Sequence, residues 1–167
     1  MKEKTKENLK NAFAGESQAH MKYLAFADKA EKENFSNVAR LFRANSFAEQ
    51  VHATNHLRTL LGIKKTPENL QEAIEGETFE VEEMYPAFIK VAEEEQEKGA
   101  ETVTKWALEA EKVHAVLYQK AKEAVEKGQD IEFKPVHVCQ VCGFTAEGEA
   151  PDICPVCGAL KEKFKGF

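Results

Sequence analysis

The sequence predicts an all-α four-helix bundle followed by a small, mostly irregular and β-structured domain stapled by metal. Three observations carry this. Residues from about 5 to 127 are rich in Ala, Glu, Lys and Leu and contain no strand-forming run. The pattern Glu-x-x-His occurs twice, as Glu49 with His52 and as Glu111 with His114. All four cysteines sit in two knuckles near the end, Cys139-x-x-Cys142-Gly and Cys154-Pro-x-Cys157-Gly.

Punctuation divides the helical stretch into four segments. Thr5 is a candidate cap for the first, which fades near Asn34. Ser36 is a candidate cap for the second, which stops at Gly62. Thr66-Pro67-Glu68 reads as an N-cap followed by proline at the first helical position and opens the third. Gly99 separates the third from the fourth, and Gly128 suits the left-handed position after its end. Segments of ~25 residues span ~38 Å, a length typical of bundles. In the third, Pro86 lacks an N–H and clashes with the carbonyl four residues back, so a kink or bulge is expected around Glu82. After Gly128 come a short polar connector and Pro135, then a stretch rich in Cys, Gly, Pro and Val. The expected domains are 1–132 and 133–167, the second too small to fold without its metal.

Composition bounds the function. Charged residues make up 31% and hydrophobic ones 43%, as in an ordinary globular protein. The net charge of −6, without a basic stripe, argues against nucleic acid as a partner. No apolar run reaches the length of a membrane span, and Met1–Lys10 has charge but no apolar stretch of a signal peptide. The expected compartment is the cytoplasm, where reducing conditions favour cysteine pairs as metal ligands over disulfides.

The helical segments supply, in order, Glu16, then Glu49 and His52, then Glu77, then Glu111 and His114. Residues three apart share a helix face. One Glu from each of two helices and Glu-x-x-His from each of two others is the ligand logic of dinuclear carboxylate bundles of iron or manganese. Gly15-Glu16 recurs as Gly76-Glu77 and the first Glu-x-x-His as the second at nearly equal offsets, which suggests a duplicated helix pair. Carboxylates cannot be buried unpaired, and two divalent ions would compensate them. Glu80, one turn after Glu77, adds a fifth inward carboxylate. His20, His56 and Glu83 are weaker candidates, with surface roles as the simpler alternative. Tyr23 and Tyr85 can donate hydrogen bonds to ligating carboxylates or simply pack. Trp106 reads as core, His137 as surface, and the run from Glu93 to Glu97 as a solvated helix end.

The cysteine spacing is strong for a tetrahedral thiolate site, and zinc and mononuclear iron share that geometry. A redox centre upstream needs an electron supply, which favours iron.

On these motifs, with Ala14-Gly15-Glu16-Ser17-Gln18-Ala19, Gly76-Glu77-x-x-Glu80 and Met84-Tyr85-Pro86 added, the chain resembles the rubrerythrins over nearly its whole length. The resemblance implies a ferritin-like di-iron bundle joined to a rubredoxin-like domain. It implies Glu16, Glu49, His52, Glu77, Glu80, Glu111 and His114 as di-iron ligands, with Glu49 and Glu111 bridging. It places Tyr23 and Tyr85 beside the ligands, and one iron on Cys139, Cys142, Cys154 and Cys157, with zinc as a substitute. One iron of the pair would move between His52 and Glu80 with redox state. The implied activity is a peroxidase that reduces hydrogen peroxide to water and so protects against oxidative stress. Electrons would come from rubredoxin or an NAD(P)H-linked reductase. The implied assembly is a homo-oligomer, a dimer first, with or without swapped helices. Two other classes stand beside this reading: a ferritin-like ferroxidase that handles iron, and a zinc-stabilised structural bundle. Mineral storage does not need a thiolate electron-transfer domain.

Overall fold

The computed structural model describes all 167 residues. It has the expected class, long helices followed by a small three-stranded sheet. The chain forms two compact units, Met1–Lys64 and Lys65–Phe167.

The first unit is a hairpin of α1 (Glu3–Lys32) and α2 (Ser36–Thr59). Small residues line the contact: Ala27, Ala30, Ala39 and Ala53 are buried, which lets the backbones approach. Ser46 is buried too, and its hydroxyl donates to the His20 carbonyl at 2.9 Å. His20 Nδ1 lies 2.9 Å from the Ser46 carbonyl, so this histidine ties the two helices together. Tyr23 packs against Phe26 and Phe42, with ring centroids 6.3 and 6.1 Å apart.

The second unit holds α3 (Thr66–Phe79), a π-helical turn (Glu80–Met84), α4 (Tyr85–Glu94) and α5 (Lys98–Glu126). Both α3 and α4 pack on α5. The irregularity expected near Glu82 is the π turn. The Tyr85 N–H reaches back five residues to the Glu80 carbonyl, just ahead of Pro86. Such a turn inserts an extra residue and recurs at functional sites. The sheet follows in the order β2 (Thr145–Glu147), β1 (Val136–Cys139), β3 (Phe164–Gly166), all antiparallel, with Thr145 opposite Val138 and Cys139 opposite Phe164. Strand β2 lies on α5, and Lys120 grips the Glu147 carboxylate with contacts of 2.8 and 3.0 Å.

The helix ends correct several expectations. Thr5 lies inside α1, which starts after Lys2. Phe35 caps α2, and the Ser36 hydroxyl donates to Glu31 instead. Lys65 precedes α3, its N–H bound by the Glu68 carboxylate at 3.2 Å, so Thr66 is already helical. Gly99 lies inside α5, and the break before it falls at Gln96. The reason is a shared C-terminal device. Asn34, Leu61, Gln96 and Gly128 all have left-handed φ, and the N–H of each following residue returns to the carbonyl five back. Only Gly128 adopts that conformation without a β-carbon. At the other three the recovered hydrogen bonds offset a cost of about 1 kcal/mol per residue.

Candidate metal centres

Six of the seven bundle residues fall into two sets, each built within one unit, and Glu80 stands outside both. In the hairpin, Glu16, Glu49 and His52 bring one ligand atom each to within 4.8 Å of one another. His52 Nδ1 is 2.9 Å from Glu49 and 4.0 Å from Glu16. In the second unit Glu77, Glu111 and His114 do the same. His114 Nδ1 is 2.6 Å from Glu111 and 3.8 Å from Glu77. The two sets repeat each other's geometry, as expected of a duplicated helix pair. Each offers two carboxylate oxygens and an imidazole nitrogen, a donor set suited to iron, manganese or zinc.

The electrostatics of the sets differ. His52, followed by Glu16, hydrogen-bonds Glu49 and holds its carboxyl below the ordinary range. Burial dominates in the second set. It pushes Glu77 up to about 7, helped by the hydrogen bond that the protonated Glu77 donates to Glu111 and by the charges of Glu111 and Glu80. Burial and then Glu111 also raise Glu80, at the head of the π turn. Tyr85 is raised by burial and by the carboxylates of Glu80, Glu111 and Glu77, which places the phenol in their field. Its ring stands edge-on to Phe88.

A carboxyl that keeps its proton near neutrality in the fold gives a pH signature. The folded metal-free protein binds more protons at Glu77 than the unfolded chain between pH 4.5 and about 7. The stability this group contributes is therefore full below 4.5 and is lost as pH rises through about 7. Cation uptake must expel that proton, so metal affinity rises over the same window. Melting curves of metal-free wild type and Glu77→Gln test this. The wild-type advantage shrinks with rising pH across the window, and an advantage that grows contradicts the account. Glu101, held at about 2 by Lys105 and Lys98, acts at lower pH.

The cysteines form the third cluster, all four sulfurs within 4.8 Å of one another. Cys139 and Cys157 Sγ are 3.7 Å apart, and Cys142 and Cys154 Sγ 3.6 Å. Disulfide sulfurs lie at about 2.05 Å. A tetrahedron with metal–sulfur bonds of about 2.3 Å has edges of about 3.8 Å. The thiols thus stand where four ligands of one ion stand. Gly143 and Gly158 follow the knuckles with left-handed φ, and each returns its N–H to the first cysteine's carbonyl at 2.9 Å. This frees later amides to face sulfur: Phe144 toward Cys142 and Ala159 toward Cys157. Burial raises the thiols of Cys142 and Cys157, so a cation is needed to hold their thiolates. Burial also acts on Cys139, but the amides of Val141 and Cys142 outweigh it and lower that thiol.

Three residues have contacts that the sequence pattern did not suggest. Trp106, expected in the core, is half-buried and shares a cleft with Phe144, Pro155 and Val156 beside the knuckles. His137, expected at the surface, is half-buried with Nδ1 2.7 Å from the Gly148 carbonyl. The Thr145 hydroxyl lies 2.8 Å from His114 Nε2, a pairing of residues 31 apart that no local spacing announces.

Known proteins show the same combination. The family model described as Rubrerythrin matches residues 7–122, and that described as Rubrerythrin, rubredoxin-like domain, matches residues 137–165. Rubrerythrin-2 of Clostridium acetobutylicum is 40% identical, covering 98% of this chain and 96% of that protein. Nigerythrin of Nitratidesulfovibrio vulgaris is 36% identical, over 98% of this chain and 86% of that protein. Among solved structures, fully reduced, all-ferrous nigerythrin matches with a TM-score of 0.57 and 34% identity, over 98% of this chain and 86% of that one.

Proposed function

Because the chain belongs to the rubrerythrin family, we propose that it is a peroxidase that reduces hydrogen peroxide to water and protects the cytoplasm against oxidative stress. As a member of that family it is an oxidoreductase with a di-iron site and a rubredoxin-like four-cysteine iron site. No helix is long and apolar enough to cross a membrane.

We assign the bundle irons to Glu16, Glu49, His52, Glu77, Glu80, Glu111 and His114, with Glu49 and Glu111 as bridges. The third iron falls to Cys139, Cys142, Cys154 and Cys157. When bound, the bundle irons supply two electrons and Lewis acidity at the O–O bond, and the thiolate iron supplies replacement electrons one at a time. Two protons complete the reduction of peroxide to two waters. The observation that carries this reading is the pair of matching half-sites in one chain with a four-sulfur cluster. The donor is a rubredoxin or an NAD(P)H-linked reductase. We assign Tyr85 a supporting role beside these carboxylates, whose charges act on its phenol.

A complete centre joins one set of each kind, and we propose that two copies of the chain provide them as a helix-swapped dimer. Three protein donors leave an ion half-coordinated. Apolar side chains near each set are also exposed: Phe47 (66%) and Val51 (43%) in the hairpin, Phe79 (52%) and Phe88 (52%) in the second unit. A second copy would both complete the ligand set and cover these faces.

The test adds peroxide anaerobically to the fully reduced, iron-loaded protein while both iron chromophores are followed. Rapid stoichiometric reoxidation is expected. Rapid oxidation by dioxygen with sluggish peroxide turnover would favour a ferroxidase, and zinc in the cysteine site after iron-replete growth a structural bundle.

A further inference from the structure

We propose that Thr145 is a positioning residue for His114: its hydroxyl accepts the Nε2–H of the imidazole and thereby turns Nδ1 toward Glu77 and Glu111. The inference rests on the reading of His114 as an iron ligand.

The hydrogen positions follow from what the hydroxyl can offer. Thr145 Oγ1 lies 3.2 Å from the Gly143 carbonyl, which only accepts, so the hydroxyl hydrogen is directed there. Oγ1 then meets His114 Nε2, 2.8 Å away, as an acceptor, and Nε2 must carry hydrogen. In the neutral ring Nδ1 is left with its lone pair. That lone pair faces Glu111 Oε2 at 2.6 Å and Glu77 Oε1 at 3.8 Å. Two kinds of acceptor pointed at one focus are satisfied by a cation held between them.

The hydroxyl is held firmly. Thr145 is 5% exposed, paired with Val138 in the sheet, and three residues after Cys142. Lys120, on the same helix as His114, grips Glu147 and fixes β2 along α5. The cysteine domain is thus bonded to a bundle ligand of its own chain through Cys142-Gly143-Phe144-Thr145 and one hydrogen bond. A partner of this kind fixes the tautomer and ring plane of a ligating histidine and raises its basicity.

The experiment uses full-length protein whose cysteine site is already filled with zinc. Cobalt(II) is titrated into the bundle of wild type, Thr145→Val, Thr145→Ser and Lys120→Ala. In the cobalt-loaded proteins the exchangeable imidazole proton of His114 is followed by NMR, assigned by its loss in His114→Gln. Thr145→Val is expected to bind cobalt about 10- to 100-fold more weakly and to lose the protected N–H resonance. Thr145→Ser restores both, since it keeps the hydroxyl. Lys120→Ala, which loosens β2 without touching the imidazole, keeps the resonance and binds within about threefold of wild type. Wild-type affinity and a retained resonance in Thr145→Val would overturn the assignment alone. An equal loss in Lys120→Ala would overturn it too, because domain docking would then be the cause. A wild-type protein without cobalt at His114 would bring down the iron-centre reading as well.

Discussion

Replacing Glu111 with alanine is expected to strip both irons from the bundle and leave the cysteine-bound iron in place. Glu111 contacts His114 at 2.6 Å, hydrogen-bonds Glu77 and acts on Glu80, so every group of the second half-site is referred to it. If Glu111 bridges the ions as proposed, its removal would deprive both of a ligand, and it leaves Nδ1 of His114 without its partner. Bundle metal affinity should fall by at least about 100-fold, more than the loss of an outer partner costs. Metal analysis with Mössbauer spectra of the iron-loaded variant reads it directly, and two irons retained in the bundle would refute the assignment. A mixture then tests the assembly. Glu111→Ala damages the second half-site and Glu16→Ala the first. In a swapped mixed dimer one centre receives both lesions and the other receives none. Co-expression should therefore restore about one quarter of the centres at random assortment. Without swapping, every centre keeps one lesion and nothing is restored.

Cys142→Ser is expected to abolish turnover driven by a reductant while sparing a single turnover by the chemically reduced bundle. Burial already disfavours the Cys142 thiolate, and the Phe144 amide is its main compensation within the chain. A serine at this position offers a poor ligand to an ion that prefers four thiolates, and the small domain depends on that ion for its fold. Steady-state peroxide reduction should drop to background. The anaerobic single turnover should slow by no more than about tenfold, the part expected if a loosened domain releases the His114–Thr145 bond. Equal loss of both activities would contradict a division of labour between the two iron sites.

Much of this was legible in the chain. Pro86 announced the distortion that became the π turn, because a missing N–H acts on its own helix. The knuckles announced a tetrahedral site, because two cysteines separated by two residues can bring their sulfurs to one ion only around a tight turn. Helix ends were read less well. Glycine is the expected stop signal, and only Gly128 acts as one. Leu61 and Gln96 adopt the same left-handed turn because hydrogen bonds to carbonyls five residues back outweigh a modest backbone cost.

By itself the sequence determined the inventory: which carboxylates, imidazoles and thiols are on offer to metal and which helix face each shares, since residues three apart coincide on any helix. Only the tertiary structure decided the groupings. Glu16 meets Glu49 and His52, Glu77 meets Glu111 and His114, and a threonine of the cysteine domain closes on His114. Those meetings join residues 31 to 37 apart, brought together by the packing of one helix or strand on another, and helical periodicity carries no information over such separations.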